Sequence, residues 1–260
     1  MRILISYIHG WSLSGNPYDL PSVQRLVDAT LAQQGINPAA IQISSQSVHM
    51  KDTRNYTFIQ CAHQLMQTGW MQNGAGFDRH YAVCHSMGGL VARTMMVLGY
   101  RFDGVLTLNT PHHGTAGWTT GGSIVGSVFV GPGAQSMMNI SQDLRWLNET
   151  DGPLRDRLYC LGVRCHGIGP VSLGPPIPWT HDNDTLIEYA SQTAAGLGDA
   201  VRRYGTLVDY GVNFVPQACA ATPGHPHNFV IDFAAEQGSG PFKFDNTPLR
   251  QAIVDCIRLH

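Results

Sequence analysis

The segment Tyr81-Ala-Val-Cys-His-Ser-Met-Gly-Gly-Leu-Val-Ala-Arg93 constrains the fold of this chain more than any other. A short apolar strand runs into His85-Ser86-Met87-Gly88-Gly89, and a helical pattern begins with no linker between them. A strand that turns directly into a helix is half of a βαβ unit, because parallel strands need long, usually helical, crossovers to be joined. The turn must be tight, and a small residue two places after Ser86 lets the helix pass close to its neighbour.

The rest of the chain repeats that alternation. Strand-length runs cover Ile3–Ile8, His80–Cys84, Gly104–Asn109, Arg157–Arg164 and Leu207–Val215, and Ile41–Val48 alternates as a strand does. Helical spacing covers Ser22–Gln34, Tyr56–Trp70, Gly88–Tyr100 and Leu186–Arg203, and Thr247-Pro248 opens a last helix with proline in its permitted first turn. Strands alternating with helices predict an α/β fold with about six mostly parallel strands and helices on both faces. No repeat or low-complexity linker divides residues 1–260, so a single domain is expected, with an insert at about 111–152. Loops of that length inside a compact domain are usually functional or mobile.

Composition narrows the function classes. Charged residues are only 13% of the 260 and the net charge is −2, which gives no electrostatic hold on nucleic acid. No run approaches the roughly 20 apolar residues that span a bilayer. Met1–Ile8 is too short for a signal peptide, so a cytoplasmic protein is expected, with signal-less export or a removed signal left open. None of the six cysteines forms a C-x-x-C pair. Cys160 and Cys165 on one strand would lie ~16 Å apart on opposite faces, beyond the ~7 Å limit for a disulfide. Most are therefore read as buried thiols, with Cys219 in a loop standing apart.

Ser86 is the chemically loaded residue of the tight turn. A serine on a strained strand-to-helix turn stands above the sheet at a helix N-terminus, whose partial positive charge favours a developing oxyanion. The plainer alternative is an ordinary strand–turn–helix with an incidental serine. The motif has Cys84 where G-x-S-x-G has its first glycine, a small residue that fits there.

With this turn, the chain resembles the lipase and esterase branch of the α/β-hydrolase superfamily, including bacterial triacylglycerol lipases and PGAP1-like esterases. Ile8-His-Gly-Trp11 resembles the family's His-Gly-x turn after the first strand. Leu108-Asn-Thr-Pro-His-His-Gly114 resembles the end of the strand after the nucleophile helix. Asn183-Asp-Thr-Leu-Ile187 resembles the Asn-Asp-Gly-Leu-Val acid loop, with Thr185 in the glycine's place and Ser191 keeping its spacing. Together these motifs span nearly the whole chain. The resemblance implies an α/β-hydrolase fold and a serine esterase or lipase acting through a Ser-His-Asp triad and an acyl-enzyme.

The resemblance assigns Ser86 as nucleophile and Asp184 as acid, with Asp182 as the alternative and Asp209 a third. Either aspartate could instead cap the following helix. The base belongs in the loop after the last strand, which offers His225 and His227. His227 is preferred because Asn228-Phe229-Val230 anchors it as the chain re-enters the core. The oxyanion hole falls to the backbone N–H groups of Trp11 and Met87; the plainer alternative is that His9-Gly10 only turns the chain off its strand. His85, His112 and His113 are expected to line the site rather than act as base. No metal or organic cofactor is called for, since the spacing of His181, Asp182 and Asp184 fits no strong ligand template.

The insert carries Trp118, Ile124, Val125, Val128, Phe129, Val130, Met137 and Met138, suited either to a lid over the site or to completing the core. Ala134–Leu147 reads as helical. The expected partner is an ester or lipid, with transient contact at a lipid interface. The same triad serves phospholipases, thioesterases and amidases, and a non-catalytic binding protein on this fold is the competing class.

Overall fold

The computed structural model describes residues 1–12, 14–35, 40–68, 76–115, 131–168, 187–214, 227–235 and 243–259. Among these, the strands are β1 (Arg2–Ile8), β2 (Gln42–Val48), β3 (Arg79–His85), β4 (Gly104–Leu108), β5 (Leu158–Ile168), β6 (Arg202–Phe214) and β7 (Lys243–Phe244). They form one sheet in the order β2-β1-β3-β4-β5-β6-β7. The first six pair in parallel, as the alternation of strand and helix requires, and β7 closes the edge antiparallel to β6. The helices are α1 (Pro21–Ala32), α2 (Phe58–Gln67), α3 (Met87–Val97), α4 (Gln142–Thr150), α5 (Tyr189–Gln192), α6 (Phe229–Asp232) and α7 (Thr247–Cys256).

Side chains alternate between the two faces of each strand, and two cores result. Ile3, Ile5, Tyr7, Tyr81, Val83, Leu106 and Leu108 meet α1, α6 and α7 on one face. Ile8, Ala82, Cys84, Val105, Leu158 and Cys160 meet α2, α3 and α4 on the other. Cys160 and Cys165 fall on opposite faces, and both are buried. Local chemistry fixes the helix starts. Thr57 caps α2 by accepting the Gln60 N–H, while the Gln60 side chain accepts the Thr57 N–H, a reciprocal capping box.

Two expected helices are corrected. Of the expected helix over 186–203, the described residues 187–203 hold only the single turn α5. Ala194, Gly196 and Gly198 take positive φ angles of 53°, 86° and 103°, which no right-handed helix accommodates. β6 consequently begins at Arg202, five residues earlier than its apolar stretch, with the Arg202 guanidinium over the Tyr159 ring. Residues 134–147 are also split. Helical residues 131–136 stop, Thr115 bridges to Met138, and Ser141 caps a new helix by accepting the Leu144 N–H.

Met137 and Met138 are buried and complete the core. Trp118, Ile124, Val125, Val128, Phe129 and Val130 lie outside the described residues, as does Cys219. Among the described residues no helix is long and apolar enough to cross a membrane.

A buried ion pair ties α3 to the second helix of the insert. The fully buried Arg93 donates from Nε to Asp151 at 2.7 Å and from Nη2 to Asn148 at 2.7 Å. His112 completes this cluster, which corrects the expectation that it lines the site. Its Nδ1 accepts from Arg93 at 3.1 Å, so its proton sits on Nε2, 3.0 Å from Thr107 Oγ1.

Candidate active site

β1 runs next to both β2 and β3, so successive connections leave it toward opposite edges of the sheet. Such a switch point opens a crevice beyond the carboxyl ends of the strands, where open α/β sheets place their ligands. The register pairs Ile8 with Cys84, so His9-Gly10 leaves β1 beside His85-Ser86 leaving β3.

The turn at Ser86 is as tight as its sequence demands. Ser86 has φ 53° and ψ −126°, a region that L-residues other than glycine seldom occupy. Its N–H donates to Leu108 O at 2.9 Å, and its carbonyl accepts from Thr110 Oγ1 at 2.9 Å. A Cβ on Gly88 would lie 2.4 Å from Ile8 O and 2.5 Å from His9 O, which the backbone cannot relieve. Glycine there lets the start of α3 approach β1. Cys84, at the motif's first position, packs its side chain into the core on the α3 face.

The strain at Ser86 has a measurable consequence. Ser86→Gly removes the Cβ that opposes the positive φ, whereas Ser86→Ala retains it. Ser86→Gly is therefore expected to exceed Ser86→Ala in unfolding free energy by about 1 kcal/mol. Urea denaturation of both variants checks this; equal stabilities would mean that the turn stores no strain.

His227, ahead of α6, brings its Nε2 to 3.0 Å from Ser86 Oγ. Both residues are buried, at 7% and 5% exposure. The His227 carbonyl accepts from Asn109 Nδ2 at 3.0 Å and faces His85 Nε2 at 3.2 Å. Asn109 is a contributor that sequence reasoning missed. Its signal in the sequence is an asparagine just past the run Gly104–Leu108, a residue type that tolerates the positive φ of 50° found there.

The turn after β1 lies directly against Ser86. A Cβ on Gly10 would come within 2.6 Å of Ser86 Cβ, so only glycine fits. His9 Nε2 accepts the Met50 N–H at 2.9 Å, which leaves its proton on Nδ1 to donate to Gly10 O at 2.8 Å. That bond fixes the planar peptide whose N–H belongs to Trp11. Met87 opens α3 directly after Ser86, at the helix end where backbone N–H groups lack intrahelical partners.

Of the remaining sequence candidates, Asp182, Asp184 and His225 lie outside the described residues, as does His181. Asp209 falls on β6. His85 borders the site with both ring nitrogens engaged, and burial holds its pKa well below the ordinary histidine value. His113 is half-buried and its Nε2 bonds Ala195 O at 2.5 Å. Ser191 Oγ donates to Gly114 O at 2.8 Å, fastening α5 to the segment after β4. Among the described residues no group of three histidine, cysteine or acidic side chains could hold a metal ion.

No protein-family model matches the chain, and no curated protein matches it in sequence. Solved structures do match. Phospholipase PlaB from Legionella pneumophila superposes with a TM-score of 0.50 at 17% identity, over 73% of this chain and 45% of that one. The chain thus spans less than half of that phospholipase. Lipase BlEst2 from Bacillus licheniformis, in its mature form, gives 0.44 at 13% identity over 72% and 78% of the two chains. Lipase 1 from Pelosinus fermentans gives 0.45 at 11% identity over 80% and 91%.

Proposed function

We propose that this chain, which has the α/β-hydrolase fold, is a serine esterase or lipase that hydrolyses carboxylic esters. The observation that carries the reading is the 3.0 Å approach of Ser86 Oγ to His227 Nε2 at a positive-φ turn on the carboxyl edge of the sheet. A serine paired with a histidine is the minimum for nucleophilic acyl transfer. The strained turn and the helix N-terminus supply the exposure and polarity that the nucleophile needs.

His227 takes the Ser86 proton as Oγ attacks the ester carbonyl, and the oxyanion of the tetrahedral intermediate accepts from the Trp11 and Met87 N–H groups. The same proton passes to the departing alcohol, leaving an acyl-serine. Water then gives a proton to His227, attacks the acyl carbon and releases the acid, and the proton returns to Ser86. Asp184, with Asp182 as the alternative, holds the His227 Nδ1–H and stabilises the imidazolium. The pathway uses no metal and no organic cofactor.

Ester chemistry is tested by hydrolysis of p-nitrophenyl esters from C2 to C16, with phosphatidylcholine beside them because this fold also hosts phospholipases. Activity that vanishes in Ser86→Ala supports the reading, and the chain-length optimum separates esterase from lipase. A folded protein inert toward every substrate would point instead to a binding protein on this fold.

A further inference from the structure

The two loops that flank Ser86 are joined by an unbroken run of hydrogen bonds whose directions are all determined. The Gly10 N–H donates to Tyr18 Oη at 2.7 Å, and the same Oη lies 2.9 Å from His85 Nδ1. The His227 carbonyl oxygen, 3.2 Å from His85 Nε2, can only accept, so neutral His85 carries its proton on Nε2 and takes the Tyr18 O–H at Nδ1. The Tyr18 ring packs 4.9 Å from the His9 ring and lies edge-on to His85, which is itself 1% exposed. Gly10 is thus gripped at both ends, its carbonyl by His9 Nδ1 and its N–H by Tyr18.

We propose that Tyr18 and His85 are positioning residues that lock the Gly10–Trp11 turn and the His227 loop into one register. This inference rests on the hydrolase reading of Ser86 and His227. The relay begins at the turn bearing one oxyanion donor and ends at the backbone of the base. Those two groups must be held together against the same reacting carbonyl, and small misplacements there cost rate rather than binding. Without the Tyr18 hydroxyl, the Gly10 donor and the buried His85 acceptor lose their partner and the two loops become independent.

The experiment compares Tyr18→Phe, His85→Gln, His85→Leu and the Tyr18→Phe/His85→Leu double variant on p-nitrophenyl acetate. Thermal midpoints are recorded alongside, so that rates refer to folded protein. Tyr18→Phe is expected to lower kcat by about 10- to 100-fold with KM little changed. It should slow phosphonylation of Ser86 by a fluorophosphonate in proportion. His85→Gln keeps an N–H for the His227 carbonyl and should retain more activity than His85→Leu, while the double variant should lose less than the product of the two single losses. Imidazole nitrogen NMR of the parent protein should show His85 as the neutral Nε2–H tautomer.

Unchanged kcat in Tyr18→Phe, losses that multiply in the double variant, or a proton found on His85 Nδ1 would each overturn the relay. A parent protein that neither hydrolyses esters nor takes the phosphonate overturns the hydrolase reading itself. An active parent with unaffected variants overturns the relay alone.

Discussion

Replacing His227 by alanine is expected to lower kcat on p-nitrophenyl esters by about 10⁴- to 10⁶-fold with KM little changed. Neutral serine is a weak nucleophile, and the imidazole 3.0 Å from its oxygen is the group placed to take the proton. Nucleophile and base act as one unit, so the Ser86→Ala/His227→Ala double variant should be no slower than either single variant. His225→Ala serves as the comparison and should leave kcat within about tenfold, since only one histidine can occupy the position beside Ser86. Asp184→Asn should cost about 10⁴-fold by leaving His227 in the wrong tautomer, and Asp182→Asn far less. Steady-state kinetics on the four single variants decides the assignment. Loss of activity in His225→Ala with His227→Ala intact would transfer the role of base.

The largest effect on stability should come from acid, through histidines that folding buries in their neutral form. His80 is the clearest case. Its Nε2 lies 2.6 Å from Ser6 Oγ and its Nδ1 2.5 Å from Tyr100 Oη, and burial lowers its pKa from 6.5 to about 4. Burial pushes His85 and His112 well below the ordinary value, with the positive charge of Arg93 also acting against protonation of His112. His9 is lowered too, chiefly by burial.

A histidine with a depressed folded pKa favours the native state fully above the unfolded value of 6.5. As pH falls below 6.5 the unfolded chain takes up protons that the folded chain refuses, so stability is lost down to the folded pKa. His80 alone would contribute about 3 kcal/mol across that window. Three such groups titrating together imply a slope approaching about 4 kcal/mol per pH unit, against a whole-protein stability of roughly 5–15 kcal/mol. Urea unfolding at steps between pH 7 and 4.5 should show this decline, and His80→Gln should reduce the slope by about one proton's share, near 1.4 kcal/mol per unit. A flat stability profile across the window would show that these histidines are not buried neutral.

Most of the sheet is readable from sequence because β1, β3 and β4 are buried, mostly apolar runs and β2 alternates, with helical crossovers setting their order. The turn at Ser86 was readable for a different reason: its demands on Gly88 are local. Features settled across space were not. A helix over 186–203 fitted its spacing, but the Tyr189 ring packs where side chains at Gly162 and Gly205 would have to stand, and that contact is invisible from any one segment. Arg93 sits on a helix where a solvent-facing position is the default, and partners far along the chain, Asp151 and Asn148, explain its burial. Tyr18 escaped notice because its partners are Gly10 and His85, the latter 67 residues away, and nothing in Asn16-Pro-Tyr-Asp-Leu20 marks a hydroxyl with a role. Of the histidine pair, His227 was preferred for its anchoring residues, and Phe229 and Val230 are indeed buried in the core behind it.

The central claim is that Ser86 is an activated nucleophile, and covalent capture tests it most directly. The folded protein would be treated with a fluorophosphonate, its intact mass measured, and the modified peptide sequenced. The account predicts a single adduct, on Ser86, that forms rapidly and is absent from Ser86→Ala. No adduct on folded protein, or an adduct on a residue other than Ser86, would contradict it.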